Sequence, residues 1–144
     1  MEWMKRELHH GDLGLSDGDV VRMYRLMLLA RKVDDRMFAL TRQGRVPFVV
    51  GSSGHEAVQV ASAMALDRET DWVLPYYRDT GVLLTLGMTP EEIFLAVLAR
   101  GDDPSSGARQ MPNHWGSARR NVITGSSPIA TQLPHAAGLA YAAK

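Results

Sequence analysis

The chain has 144 residues, 45% of them hydrophobic, enough for one ordinary domain with a real core. Sixteen basic residues cancel sixteen acidic ones, which excludes a long-range field for nucleic acid or an anionic membrane and leaves anion recognition to single placed side chains. Cysteine is absent, removing disulfides and thiolate metal ligands, and no apolar run approaches membrane-spanning length.

Residues 1–15 read as an N-terminal arm, too polar in "MEWMKRELHHGD" for a signal peptide. Ser16 with Asp19 predicts a capped helix start, and Met23, Leu26, Ala30, Val33, Met37 and Leu40 form one face of a long helix ending near Gly44. Arg22, Arg25, Lys32, Asp35 and Arg36 fall on its other faces. A short extended piece, Val46 to Val50, leads to Gly51. Ser53 and Glu56 predict a second capping box and a helix through about Leu66, with Ala57, Ala61 and Ala65 making a smooth face for close helix approach. Pro75 holds Leu74 out of helical geometry. The next helix runs through about Leu86 and breaks at Gly87. Thr89, Pro90 and Glu92 then open another, expected to reach Arg100.

From Gly101 to about Gly125 the chain becomes a long polar loop, "GDDPSSGARQMPNHWGSARRNVITG", of the kind that serves as a lid or binding loop. The last stretch, "SSPIATQLPHAAGLAYAAK", predicts a helix from Ile129, with Pro134 early in it.

The chemistry concentrates in "WVLPYYRDTG". An arginine fork can grip two phosphate oxygens, tyrosine hydroxyls add donors, and a nearby helix start adds backbone N–H groups. Residue types alone leave two readings: an anion clamp, or a Tyr-Arg-Asp ion pair satisfied within itself. Among the histidines, His9 and His10 sit near the terminus, His135 in a helix, and His55 at a helix start. His114, beside Met111 and Trp115, is the one placed to touch a substrate. No histidine pair has metal spacing, no Ser-His-Asp arrangement stands out, and no P-loop or dinucleotide fingerprint occurs. "GSSPIATQ" is either a helix start with ordinary caps or a turn facing a heterocycle, its surplus oxygens caging a monovalent cation.

Taken in order, "RQGRVPFVV", "GHEAVQVASAMAL", "DWVLPYYRDTG", "GARQMPNHWG" and "SSPIATQ" resemble a known family. It is the α subunit of the thiamine-diphosphate-dependent decarboxylating component of 2-oxo-acid dehydrogenase complexes, nearest the branched-chain type. The resemblance implies an α/β thiamine-diphosphate-binding fold, of which residues 16–144 are the mostly helical N-terminal portion with the parallel sheet largely missing. It places Tyr76, Tyr77 and Arg78 on the cofactor diphosphate, and Ser127, Pro128 and Ile129 on its aminopyrimidine. Phe48, Tyr77, Met111 and His114 match substrate-lining positions. Ser126, Pro128, Thr131 and Gln132 match a potassium site found in some members.

The reaction implied is oxidative decarboxylation of a 2-oxo acid with acyl transfer to a lipoyl group of the acyltransferase core. A β subunit completes the site, in an assembly of two α and two β chains in the cytoplasm, or in the mitochondrial matrix if a targeting segment has been removed. The family's magnesium motif, Gly-Asp-Gly followed by an asparagine, has no match here. Magnesium ligands are therefore expected downstream, in a longer subunit, with this stretch inactive by itself. Two other functions share these residues: a pyruvate or acetoin dehydrogenase α subunit, and a non-catalytic fragment or assembly module.

Overall fold

A computed structural model describes residues 8–144; of the N-terminal arm, residues 1–7 lie outside the described residues. Five α-helices carry the described chain, and no strand is formed among those residues. The helical character is as expected, and the only sheet-like pairing is a pair of isolated bridges described below.

Helix α1, Asp17–Arg42, begins with the reciprocal box that Ser16 and Asp19 predict. The Asp19 N–H donates to Ser16 Oγ at 3.2 Å, and the Ser16 N–H donates to the Asp19 carboxylate at 3.0 Å. Ala30, Val33, Met37 and Leu40 are buried along the expected stripe, and its five charged neighbours are exposed. Asp34 is also buried on that side, a charge that the apolar stripe does not announce.

Helix α2, Glu56–Met64, packs against α1 and α3. Its start differs from the expected capping box. His55 occupies the N-cap position without a side-chain cap bond, because both members of the box are engaged elsewhere. Ser53 Oγ turns to Asp34, while Glu56 accepts from the Gly54 N–H at 2.8 Å and from Arg31 Nε at 2.6 Å. The buried residues are Glu56, Gln59, Val60 and Ala63; Ala57, Ala61 and Ala65 are exposed, and Ala61 and Ala65 line an open cleft with Asp19, Arg22 and Met23 of α1.

Helix α3, Thr80–Thr85, is buried throughout, and α4, Pro90–Val97, starts with the predicted Thr89–Glu92 box. Three of these helices end in the same way. After α1, α3 and α4 the chain enters the left-handed region at Gly44 (φ 69°), Gly87 (φ 96°) and Ala99 (φ 51°). Each time, two backbone N–H groups reach back to the last-turn carbonyls, as in Arg45 to Leu40, Met88 to Leu83 and Arg100 to Leu95. This is the Schellman closure. It explains why α4 stops at Val97 rather than Arg100: alanine takes the place that glycine marks in the other two.

The 101–125 segment is pinned down rather than lid-like. Asp103 accepts from the N–H groups of Ser105, Ser106 and Ala108. Val122 bridges Val73 in parallel and Ser117 antiparallel. Trp115 is fully buried, joining Met37, Leu83, Ile93 and Val97 in the core. Glu92 binds Arg119 and Arg120 from the same segment. Burial raises its carboxyl pKa, but the Thr89 N–H and Arg120 outweigh that and hold it below the ordinary value. Helix α5, Gln132–Ala142, starts three positions after Ile129 and has no buried residue. No described helix is long and apolar enough to cross a membrane.

Ala99 is exposed and pays the steric cost of a left-handed backbone for a Cβ. Ala99→Gly is expected to stabilise the fold by about 0.5–1 kcal/mol, the gain being trimmed by the looser unfolded chain. A raised urea midpoint at unchanged slope checks this.

Candidate functional site

The tyrosine-arginine corner is a turn braced from α2. The Tyr76 N–H donates to Asp79 Oδ2 at 2.8 Å, and the Asp79 N–H donates to the Tyr76 carbonyl at 2.9 Å. Gln59, 4% exposed, supplies the rest. Its Nε2 donates to the Arg78 carbonyl at 2.8 Å and to Asp79 Oδ1 at 3.3 Å, while its Oε1 accepts from the Gly81 N–H at 3.0 Å. A Cβ on Gly81 would lie 2.7 Å from that Oε1, so glycine is required for the two elements to come this close. Burial pushes the Asp79 carboxyl up from its ordinary pKa, with the Tyr76 N–H and the Gln59 amide pulling back.

The two readings of this corner now separate. Asp79 is committed to Tyr76 and Gln59, and Arg78 makes no ion pair among the described residues. Instead Arg78 Nη1 donates to the Gly51 carbonyl at 2.8 Å, and the guanidinium lies 5.6 Å from the Tyr77 ring centre. The self-satisfied ion pair is not formed. The Tyr76 hydroxyl donates to that of Tyr77 at 2.6 Å, and that bond, with burial, raises Tyr77 above its ordinary pKa. The expected contribution of a helix start is not available. The Thr80 N–H donates to the Arg78 carbonyl and the Gly81 N–H to Gln59, so both are already used in a helix of only six residues.

Phe48, Val50, Tyr77, Arg78, His114 and Ser127 line one cleft of about 250 Å³. Five of these are residues singled out in the sequence, from segments far apart along the chain. Asn113 fixes the near wall: its amide accepts from the Val50 N–H and donates to the Val50 carbonyl, both at 3.0 Å, as a neighbouring strand would. His114 is mostly buried. Its Nδ1 sits 3.1 Å from the Pro112 carbonyl, which only accepts, so Nδ1 carries the proton in the neutral ring. Nε2 then accepts from Ser127 Oγ at 2.5 Å.

Met111 and Ile129, 52% and 70% exposed, do not line this cleft, and neither does Pro128. The proposed cation ligands are partly gathered. Thr131 Oγ donates to the Pro128 carbonyl at 2.6 Å and lies 3.3 Å from Ser126 Oγ, whereas Gln132 Nε2 reaches toward the Pro75 carbonyl at 3.5 Å. Ala130, at φ 68°, makes the turn that brings these oxygens together. No group of three or more His, Asp or Glu able to hold a metal ion occurs among the described residues.

Gln59, Asp34 and Asn113 were not singled out from the sequence. The first two carry a signal in hindsight: each is a polar residue at the buried phase of an amphipathic helix, Asp34 lying four residues after Ala30 and Gln59 four before Ala63. Asn113 carries none, since its role depends on a partner sixty-three positions away.

The profile of the family described as "Dehydrogenase E1 component" matches residues 24–144. The chain belongs to that family. It is 54% identical to the 2-oxoisovalerate dehydrogenase subunit alpha of Bacillus subtilis over 135 residues, which are 94% of this chain and 41% of that protein. It is 47% identical to the mitochondrial 2-oxoisovalerate dehydrogenase subunit alpha 1 of Arabidopsis thaliana, covering 90% of this chain and 27% of that one. The mitochondrial counterpart of Mus musculus is 42% identical over 92% of this chain and 30% of its own length. This E1 chain thus spans less than half the length of these curated relatives.

Gln59→Ala removes the side-chain bonds to the Arg78 carbonyl and the Gly81 N–H, leaving the Thr85 hydroxyl on the Gly81 carbonyl. Amide hydrogen exchange at Gly81 is expected to accelerate by about five- to tenfold, matching a lost bond of about 1 kcal/mol. Unchanged protection there would show that the turn holds itself.

Proposed function

We propose that this E1 chain forms the cofactor-clamping and substrate-facing part of the α subunit of a branched-chain 2-oxo-acid dehydrogenase. The observation that carries the proposal is Arg78. It is a guanidinium without a carboxylate partner among the described residues, fixed by Gly51 and facing a cleft with Tyr77 and Ser127. Such a donor set fits an anionic tail, since a bidentate arginine with hydroxyl neighbours binds phosphoryl oxygens without needing net charge on the protein. Tyr76 reaches the same tail through its bond to Tyr77.

Thiamine diphosphate, when bound, supplies the carbanion that adds to a 2-oxo group and takes up the electron pair left when carbon dioxide departs. The residues of this chain bind and orient. Arg78, Tyr76 and Tyr77 hold the diphosphate, and the Ser127–Pro128–Ile129 turn meets the aminopyrimidine. Phe48 offers an apolar wall to an aliphatic substrate tail, and its low polarity favours loss of the carboxylate charge. His114, oriented by the Pro112 carbonyl and the Ser127 hydroxyl, stands with that hydroxyl at the substrate end of the cleft. Met111 joins this wall once the surrounding chains cover it.

Magnesium, neutralising the diphosphate, is to be held by residues outside this stretch. Potassium at Ser126, Pro128, Thr131 and Gln132 would tie the turn to the start of α5. A β subunit completes the cleft, and the lipoyl domain of the acyltransferase core receives the acyl group. Similarity to 2-oxoisovalerate dehydrogenase α subunits favours this branched-chain reading over a pyruvate or acetoin enzyme, and no observation favours a non-catalytic module. The compartment would be the cytoplasm or the mitochondrial matrix.

Arg78→Ala in the complete α–β enzyme is expected to weaken thiamine diphosphate binding by about 10- to 100-fold, the loss of a charge-assisted contact. Calorimetry with magnesium present measures it, and unaltered affinity would sink the clamp. The complete enzyme should also show a higher kcat/KM for 3-methyl-2-oxobutanoate than for pyruvate; the reverse order in steady-state assays would reassign the substrate class.

A further inference from the structure

The guanidinium of Arg78 is aimed by a backbone carbonyl, and that carbonyl needs holding itself. Gly51 belongs to a segment without regular secondary structure. Behind it lies Asp34, 0% exposed, projecting from α1. Asp34 Oδ2 accepts from the Ser52 N–H at 2.5 Å, from Ser52 Oγ at 3.1 Å and from Ser53 Oγ at 3.4 Å. The peptide that carries the Gly51 carbonyl is the one whose N–H, on Ser52, this carboxylate holds. The contact is close: a Cβ on Gly51 would lie 3.3 Å from Asp34 Oδ2 and 2.7 Å from the Phe38 ring.

We propose that Asp34 is a positioning residue for the anion clamp, setting the Gly51 carbonyl that in turn aims Arg78. A rigid peptide plane makes this transmission direct, because fixing its N–H fixes the direction of its C=O. Packing alone does not account for a charge at this position. Asp34 Oδ1 is buried without a hydrogen-bond partner, and burial pushes the carboxyl up from its ordinary pKa despite the three donors on Oδ2. An apolar residue would fill the stripe between Ala30 and Met37 without that desolvation penalty. What it would lack is an acceptor for the Ser52–Ser53 turn. The carboxylate is retained for where it points the loop.

The inference rests on the reading of Arg78 as the diphosphate clamp, and a double-mutant cycle separates the two. Thiamine diphosphate affinity is titrated, into the millimolar range and with magnesium, for the complete α–β enzyme carrying Asp34→Ala, Arg78→Ala, or both. Asp34→Ala is expected to weaken binding by about fivefold in the parent and by less than about twofold in the Arg78→Ala background. Equal factors in the two backgrounds, or no effect in the parent, would overturn the positioning role while leaving the clamp intact. No effect of Arg78→Ala by itself would overturn the clamp. If Asp34→Ala does not assemble, Asp34→Asn, of the same shape but without the charge, takes its place in the cycle. It is expected to show about a threefold loss that vanishes without Arg78, and a loss persisting there is the contrary result.

Discussion

The amide of Gln59, working beside Asp79, ties the backbone of the corner on which the cleft is built to α2. Between Pro75 and Thr80 no helix or strand supplies partners, and buried peptide groups must still find them. Gln59 answers from the middle of α2 with both ends of its side chain, taking the Gly81 N–H and giving to the Arg78 carbonyl. Because α2 is itself packed on α1 and α3, the turn inherits the rigidity of three helices. The guanidinium of Arg78 can then be held by one further bond, to Gly51, and keep the rest of its fork toward the cleft. Moving Gln59 by the width of a methyl group would displace Gly81, which already sits at contact distance.

Helix starts were legible in the sequence wherever the capping residues kept their local bonds, as Glu92 does while also binding Arg119 and Arg120. Ser16 with Asp19, and Thr89 with Glu92, close their boxes as written. Ser53 and Glu56 have the same spacing but lose to tertiary partners, Asp34 and Arg31, that local pattern cannot reveal. Ends follow a parallel logic. Glycine announces the reversals after α1 and α3, while Ala99 adopts the same left-handed backbone unannounced. The alanine spacing on α2 marks a smooth face, and its Ala61 and Ala65 border an open cleft against the start of α1.

The candidate site was legible as an ordered set of motifs rather than as geometry. Phe48, Tyr77, Arg78, His114 and Ser127 do converge on one cleft, which chain order alone could not show. That Asp79 turns to Tyr76 and Gln59, leaving the closed ion pair unmade, is visible only in the folded chain. The supporting residues escaped for a physical reason: Asp34 and Asn113 act on backbone groups brought near only by folding.

All six residues lining the cleft lie between helices, whereas Asp34 and Gln59, which steady them, lie within α1 and α2. Recognition and scaffold are thereby written on separate parts of the chain. Variation at Phe48 or Val50 can reshape the cleft wall while the packed helices stay as they are. A change in either brace would leave the wall chemistry intact yet spoil its aim. In such a molecule the character of the wall and the accuracy of its placement can be altered independently.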